Sequence, residues 1–513
     1  MMPVSQAGAL NVTALNVPDT YIQIQEPSVQ PLNGLPTSIA GIVGTATWGP
    51  VNKPVLVSSA ADYVTKFGPL VDDIHDAGSA VVAAAQQGAA DFRIVRVTDG
   101  TDVAASKDLA GGVLTITARY TGSLGNTITV KQSNGSAAGT QKLTVAMPGM
   151  LPEVYDNIVA DTDGMWAANM AKALNAGTGP LRGPSRLVTA LAGAGEVAGF
   201  TVGTVNLTGG ANGGVPTDAK LVGTDIGGRK GMYALRGTGA SVVMLAGVTD
   251  PATFTTQAAF GESEGAYMMC TGPAGQYLDI EAAIASKAAA GLDSAWVKLL
   301  LGDWVYWTDP VSGVIRLVPP QAFALGRLAN LSPENSSLNK KMYSIVGTQR
   351  TMDGTPYSSA ELSQLAQAGI DVITNPAPGG NYFAARIGHN TSSNPGTNGD
   401  NYTRVTNYIA FTLNAGMGRY IGKLQTSSLR AQAKGTLTSF LSVMEDAEMI
   451  GNVNGGPAFS VQLDDKNNPI ARVGLGYMQA DARVTYLGVV EKFLVNLEGS
   501  QVTVIRQSTN PNN

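Results

Sequence analysis

The residues 261–265, GESEG, set a serine between glycines in the Gly-x-Ser-x-Gly spacing of a nucleophile elbow, and the chain holds two histidines, His75 and His389, that could serve as bases. Such a set would support acyl transfer by Ser263. Arg386 and His389 follow the apolar run GIDVIT closely, which suggests a pocket there. The elements that must position these groups argue otherwise. An elbow needs a strand before the serine and a helix after it, whereas here a helical pattern runs into GESEG and the strand-like AYMMC leaves it. GESEG is therefore expected to end a helix, and His75 and His389 to take surface or hydrogen-bonding roles. GPAGQY lacks the Lys-Ser/Thr of a phosphate loop, and LTGGANGG does not join a strand to a helix, so both read as turns. Asp464 and Asp465 sit at a turn, and Glu445, Asp446 and Glu448 form the solvated acidic end of a helix. No coherent catalytic, cofactor or metal site emerges.

Composition narrows the classes further. Charged residues make up only 14% of the 513-residue chain, against roughly 25% in ordinary soluble domains. Much of the surface must then be uncharged or covered by partners. Lys and Arg total 33 against 38 Asp and Glu, a net charge of -5 that disfavours nucleic acid as a partner. The lone Cys270 excludes an intrachain disulfide and reads as a buried core residue. No apolar run reaches the roughly 20 residues of a membrane span. The nearest, AWVKLLLGDWVYW, is broken by Lys298, Gly302 and Asp303. The start MMPVSQAGALNV lacks the pattern of a signal peptide, so synthesis and assembly in the cytoplasm are expected.

The length implies about three domains. Residues 356–389 show the clearest local signals: Ser358 and Glu361 form a capping box, Gly369 ends the helix, and Ile370, Val372 and Ile373 begin a buried strand. Earlier, TSIAGIVGTATWGPVNKPVLV reads as two buried strands around a turn, followed by a capped helix, an Ala-rich helix begun by Asp76, and the strand FRIVRV. Residues 101–215, dominated by Gly, Thr, Ala and Asn, read as an inserted, mainly β domain with one helix, WAANMAKALNA. The α/β pattern resumes from 216 to 375, with WVYWTDPVSGVIRLVPP as a hairpin. From 376 to 488 an α+β unit carries two helices and a hairpin built from FSVQLDD, the KNNP turn and IARVGLGYMQA. The organisation is thus an arm at 1–30, a central α/β domain at 31–100 and 216–375, the insert, a carboxy-terminal domain at 376–488, and a second arm at 489–513.

Both arms contain strand patterns without a strand nearby to pair with. Tyr21 with the apolar Ile22 and Ile24, and Phe493, Val495, Leu497 and Val502, mark the two runs. Unpaired edges are an aggregation hazard unless another copy of the chain completes them. Strands given to one neighbour and received from another make head-to-tail contacts, which build rings or open helices.

The order and spacing of these segments resemble the tail sheath proteins of contractile-tailed bacteriophages. The residues that carry the resemblance are TSIAGIVGTATWGPVNKPVLVSSAADYVTKFG, FRIVRV, GSLGNTITV, LTGGANGG, WVYWTDPVSGVIRLVPPQAFALG, GIDVITNP and LNAGMGRYIGKLQTSSLRAQAKGTLTSFL, spread over nearly the whole length. The resemblance implies a non-catalytic subunit stacked as hexameric rings in a helical sleeve around a tail tube, in a virion tail. On a baseplate signal the sleeve contracts and drives the tube through the host envelope. It implies tube, baseplate and tail terminator proteins as partners, an outward insert, and arms shared through β-sheets in a tube-facing carboxy-terminal domain. Glu445, Asp446 and Glu448 are candidates for meeting the tube or a neighbour. A single chain with an insert looks more like a phage or phage-derived particle than a split secretion sheath. The other readings are a different self-assembling viral structural protein, a serine hydrolase using Ser263, and a non-catalytic α/β ligand-binding protein.

Overall fold

A computed structural model describes residues 32–109, 112–160, 166–180, 182–193 and 201–496, together with the backbone of Val4–Ser5 and Ile22–Gln23. The central element is a seven-stranded sheet. In chain order its strands are β1 (Ile39–Gly44), β2 (Pro54–Val57), β3 (Asp91–Arg96), β4 (Val242–Leu245), β5 (Tyr267–Thr271), β6 (Val297–Leu300) and β7 (Ile370–Asp371). In space they run β7-β6-β5-β4-β1-β3-β2, parallel throughout except for β2, which pairs antiparallel with β3. Parallel strands are covered on both faces, which explains why β4 is a continuous apolar run and why β4, β5 and β6 are buried along their whole length.

Local chemistry sets the element ends. Helix α1 (Ala60–Phe67) starts at Ser59, whose side chain accepts from Asp62 N, and stops at Gly68 with φ 85°. Asp76 caps α2 (Ala77–Gln86) by accepting from Gly78 N at 2.9 Å and Ser79 N at 2.8 Å. Helix α3 (Phe254–Glu264) runs through GESE into left-handed Gly265, and α4 (Ile280–Ala289) and α5 (Gln321–Ala329) follow. In α6 (Ser359–Ala368) both bonds of the Ser358–Glu361 capping box form, at 3.2 and 2.7 Å, and Gly369 takes φ 64°. One expectation changes. The second strand of the opening pair, β2, is not buried: it is the sheet edge, with Leu56 half exposed. Pro54 cannot donate to a ladder, so an edge is where this strand can be tolerated.

Between β3 and β4 the chain builds a β-rich insert with its own core. Four strands pair in the order Glu153–Ile158, Gln141–Ala146, Thr129–Asn134, Gly203–Asn206, and three in the order Val188–Ala192, Leu114–Ala118, Ser106–Leu109, with the helix Trp166–Ala176 packed on them. The body reaches into this core through Trp48, which meets Tyr120 edge-on at 5.2 Å. Arg96 at the end of β3 is buried and donates to Ala46 O, Gly49 O and Thr121 O at 2.8–2.9 Å, tying body to insert. LTGGANGG closes the insert through paired bonds between Asn126 and Gly210, at 2.9 and 2.7 Å.

The carboxy-terminal unit consists of α7 (Asp400–Met417), α8 (Ser427–Asp446) and a hairpin of β8 (Phe459–Gln462) with β9 (Asp481–Val484). Leu429, Ala433, Leu437, Phe440, Leu441 and Met444, which recur at helical spacing, lie on the buried face of α8. Two segments differ from the sequence reading. IARV does not form the second hairpin strand; Ile470–Val473 is a helical turn behind Pro469, and DARV pairs with FSVQ instead. Pro469 sets the backbone for a helix start, and Asn468 holds the intervening loop by donating to Asp464 O at 3.1 Å and Gln479 O at 2.8 Å. The expected change of compartment at 376 also falls inside a continuous packing. Ile373–Thr374 pairs with Ala384–Ala385, and Ala385 and Ile387 belong to the two central cores. Conversely, Leu32 packs with Val405, Ile409 and Phe440, and Leu35 N donates to Thr412 Oγ1 at 3.2 Å, so the chain enters the body from the carboxy-terminal unit.

Of the arm residues, Ile22 lies in a two-residue parallel ladder, Ile22–Gln23 with Val4–Ser5. Tyr21, Ile24, Leu497 and Val502 lie outside the described residues. Phe493 and Val495 are exposed, and residues 485–496 carry no helix or strand, so the strand pattern of the second arm has no intrachain ladder over its described part, 489–496.

Candidate functional site

The sequence-derived catalytic candidates do not converge. Ser263 Oγ donates to Phe260 O at 3.0 Å within α3. His75 is buried, with Nδ1 donating to Ala246 O at 2.7 Å and Nε2 lying 3.8 Å from Asp218 Oδ1. His389 Nε2 meets Glu491 Oε1 at 2.7 Å, pinning the root of the second arm to the body, and Arg386 lines the groove beside this contact. Cys270 is buried beside Gln257, 3.3 Å from its Oε1, and burial pushes the thiol well up, so it stays a protonated core residue. Among the described residues no group of three or more His, Cys, Asp or Glu could hold a metal ion, and no helix is long and apolar enough to cross a membrane. Glu445, Asp446 and Glu448 are exposed at the end of α8.

A different constellation is assembled where the carboxy-terminal unit meets the sheet. Lys298, in the middle of β6, is fully buried. Its Nζ lies 2.5 Å from Asp371 Oδ2 and 3.5 Å from Asp400 Oδ2, and donates to His389 O at 3.3 Å. Asp371, closing β7, also accepts from the amides of Val372, Arg386, Ile387 and Gly388 at 2.8–3.2 Å. Asp400, the first residue of α7, accepts from Ser337 N at 3.0 Å and from the Ser337 hydroxyl. One turn on, Arg404 donates to the carbonyls of Leu328, Leu331, Ser332 and Asn335 at 2.5–3.2 Å, and Thr403 Oγ1 donates to Ala295 O at 2.5 Å. The first turn of α7 is thereby fastened to β6, to the loop after α5 and to the turn after β7. Two cations and two carboxylates balance. Desolvating each ion costs several kcal/mol, so the set persists only because the charges neutralise one another and nearly all of its polar atoms are hydrogen-bonded, Asp400 Oδ1 being the exception.

These interactions shift the titrations. Burial pulls the Asp371 carboxyl upward, but Lys298 and the amides hold it below the ordinary carboxylate value of 3.8. Burial likewise opposes the charge on Lys298, yet Asp371 and Asp400 raise its pKa above 10.5. Burial lowers Arg404 to about 10. For Asp371 the unfolded chain binds the extra proton as the solution is acidified, so its stabilisation is complete above the unfolded value of 3.8 and disappears as pH falls through the lower folded value. For Lys298 the contribution is present below 10.5 and lost as pH rises through the higher folded value. The junction is therefore at full strength across the neutral range. Thermal unfolding is expected to show a falling Tm below about pH 4, with a shallower fall in Asp371→Asn. Parallel profiles would remove Asp371 from the acid response.

Sequence reasoning passed over this junction. Its signals were single charges inside apolar strands, Lys298 in WVKLLL and Asp371 in GIDVIT, which require buried partners.

Residues 37–97, spanning β1 to β3, match the family described as tail sheath protein Gp18 domain III N-terminal region. Of the solved structures similar to the chain, a sheath tail protein from Desulfitobacterium hafniense superposes with a TM-score of 0.55 at 17% identity, over 87% of this chain and 94% of that one. The chain has the tail sheath fold. A sheath tail protein from Listeria innocua gives 0.57 at 14% identity, over 85% and 90% of the two chains. The sheath complex of an extracellular contractile injection system in its contracted state gives 0.55 at 10% identity, over 95% and 98%. No curated protein sequence matches the chain. In this fold the ionic junction lies where the carboxy-terminal unit meets the central sheet.

Proposed function

We propose that the chain is the structural subunit of a contractile tail sheath, which polymerises around a tail tube as stacked hexameric rings and contracts to drive the tube through a host envelope. The observation that carries this reading is a likeness to sheath chains over 85–95% of the length, including one in a contracted assembly. The free edges of the molecule support it. Among the described residues, β8 and β9 pair only with each other, leaving two strand edges on the carboxy-terminal unit. Both arm roots leave from that unit: residues 32–36 across α7, and residues 485–491 directly after β9. Beyond Glu491, Phe493 and Leu494 are 86% and 85% exposed, apolar surface that a neighbour's sheet edge would bury. Each copy would donate and receive strands, a head-to-tail linkage that survives sliding between rings.

The domains at 31–100 with 216–375, 101–215 and 376–488, the first residues of the last packing with the body, then act as body, outward insert and tube-facing unit, and partners comprise further copies, tube, baseplate and terminator proteins. Subunits would assemble in the host cytoplasm and end in the virion tail. Two packings differing by a few kcal/mol per subunit would release a large total over many copies. Negative-stain microscopy of the purified protein tests this: hollow striated tubes are expected, and a dispersed monomer with intact arms at all concentrations overturns it.

A further inference from the structure

Helix α8 carries its charges in the order opposite to that favoured by the helix dipole. Its first turn holds no acid and its last turn no base. From Asn401 to Met444 every charged residue is basic: Arg404, Arg419, Lys423, Arg430 and Lys434. Glu445, Asp446 and Glu448 follow at the other end. Anions stabilise helix amino ends and cations carboxyl ends, so this order is unfavourable at both ends of an isolated helix. The two groups also cannot neutralise each other within one copy, because the 20 residues of α8 span roughly 30 Å at 1.5 Å per residue. Among the described residues no ion pair reaches Lys423, Lys434, Glu445, Asp446 or Glu448; Lys423 rests over the Tyr420 ring at 5.7 Å.

Each end adds exposed apolar side chains to its charge. Ile421 and Leu424 flank Lys423, 83% and 87% exposed, and Gln425 Nε2 donating to Tyr477 O at 3.0 Å brings the exposed Leu475 and Tyr477 alongside. At the acidic end Val443 and Val453 are exposed. Arg404 is buried in the ionic junction and Arg430 pairs with Asp465 at 2.6 Å, which leaves Lys423 and Lys434 to make one end of the rod a basic apolar surface, with an acidic apolar surface at the other end.

We propose that the acidic end of α8 in one copy docks on the basic apolar loop 421–425 and the first turns of α8 in the next copy. The occupant is a second copy of this chain, since the chain itself supplies both complementary faces, and the contact is heterologous, leaving a free end of each kind for propagation. It gives the carboxy-terminal units a direct head-to-tail contact besides the arms. This deepens the sheath reading and assigns Glu445, Asp446 and Glu448 to a neighbour rather than to the tube.

Two full-length variants test it, Lys423→Glu with Lys434→Glu, and Glu445→Lys with Asp446→Lys, each checked for an unchanged circular dichroism spectrum and a Tm no lower than that of the parent chain. Sedimentation of each alone at low salt is expected to show self-association reduced about tenfold, because like charges then face each other across the contact. Mixing the two is expected to restore association, since each copy again meets its complement, and about 0.5 M salt should abolish it by screening. The proposal is overturned if both variants associate like the parent chain, or if the mixture stays as weak as its components. It is also overturned if only the lysine variant loses an interaction, and that with an acidic tube protein. Association in the mixture without tubes in the parent chain would retain this contact while removing the sheath reading; tubes from both variants would do the reverse.

Discussion

Lys298→Met is expected to lower the unfolding free energy by about 3–5 kcal/mol, the range found when one partner of a buried ionic set is removed. Methionine resembles lysine in length and would occupy much the same buried space, so little of the loss would come from a cavity. It would come from Asp371 and Asp400, both fully enclosed, facing each other without the ammonium that lies 2.5 and 3.5 Å from them. Urea unfolding with an unchanged m value measures the effect. Adding Asp371→Asn should recover part of it, because the amide oxygen still accepts from the strand-end amides while one buried charge disappears. Hydrogen exchange should rise first in α7, whose first turn the junction fastens. A loss below about 1 kcal/mol would place the pair in the class of exposed ion pairs and remove the junction from any part in coupling body to carboxy-terminal unit.

Removal of residues 1–26 or 490–513 is expected to abolish polymers while leaving a folded monomer. The buried clusters run from Leu32 to the β8–β9 hairpin, and none of their described members lies in either deleted segment. The second deletion does break His389–Glu491, but a partly exposed pair contributes about 0–1 kcal/mol. Thermal unfolding should therefore hardly move, whereas pelleted polymer should disappear because the edges of β8 and β9 lose their donated strands. Tubes formed by either truncated chain would sink the shared-strand arrangement, and a large fall in Tm would show that the arm belongs to its own subunit's core.

Much of the fold was legible because short-range chemistry wrote it. The capping box at Ser358 and Glu361, the glycine at 369 and the Asp76 cap each depend on neighbours within a few residues, and each forms as read. The hairpin was misread where two segments of similar pattern competed. IARV and DARV are both plausible strands, and the choice rests on Pro469 and on Asn468 bonding across to Gln479, a contact spacing cannot reveal.

The sequence by itself determined that this is an α/β chain with a β-rich insert, sparse in charge, with no nucleophile-and-base set and with apolar strand patterns at both ends. Only the tertiary structure decided where the isolated charges go. Lys298, Asp371 and Asp400 are separated by up to 102 residues (400 − 298); Lys298 and Asp371 each look like a defect in an apolar run, and Asp400 is one more polar residue in a polar stretch. Their neutralisation depends on parallel strands β6 and β7 lying side by side with α7 set across their ends, an arrangement fixed by burial of whole apolar faces rather than by any local signal.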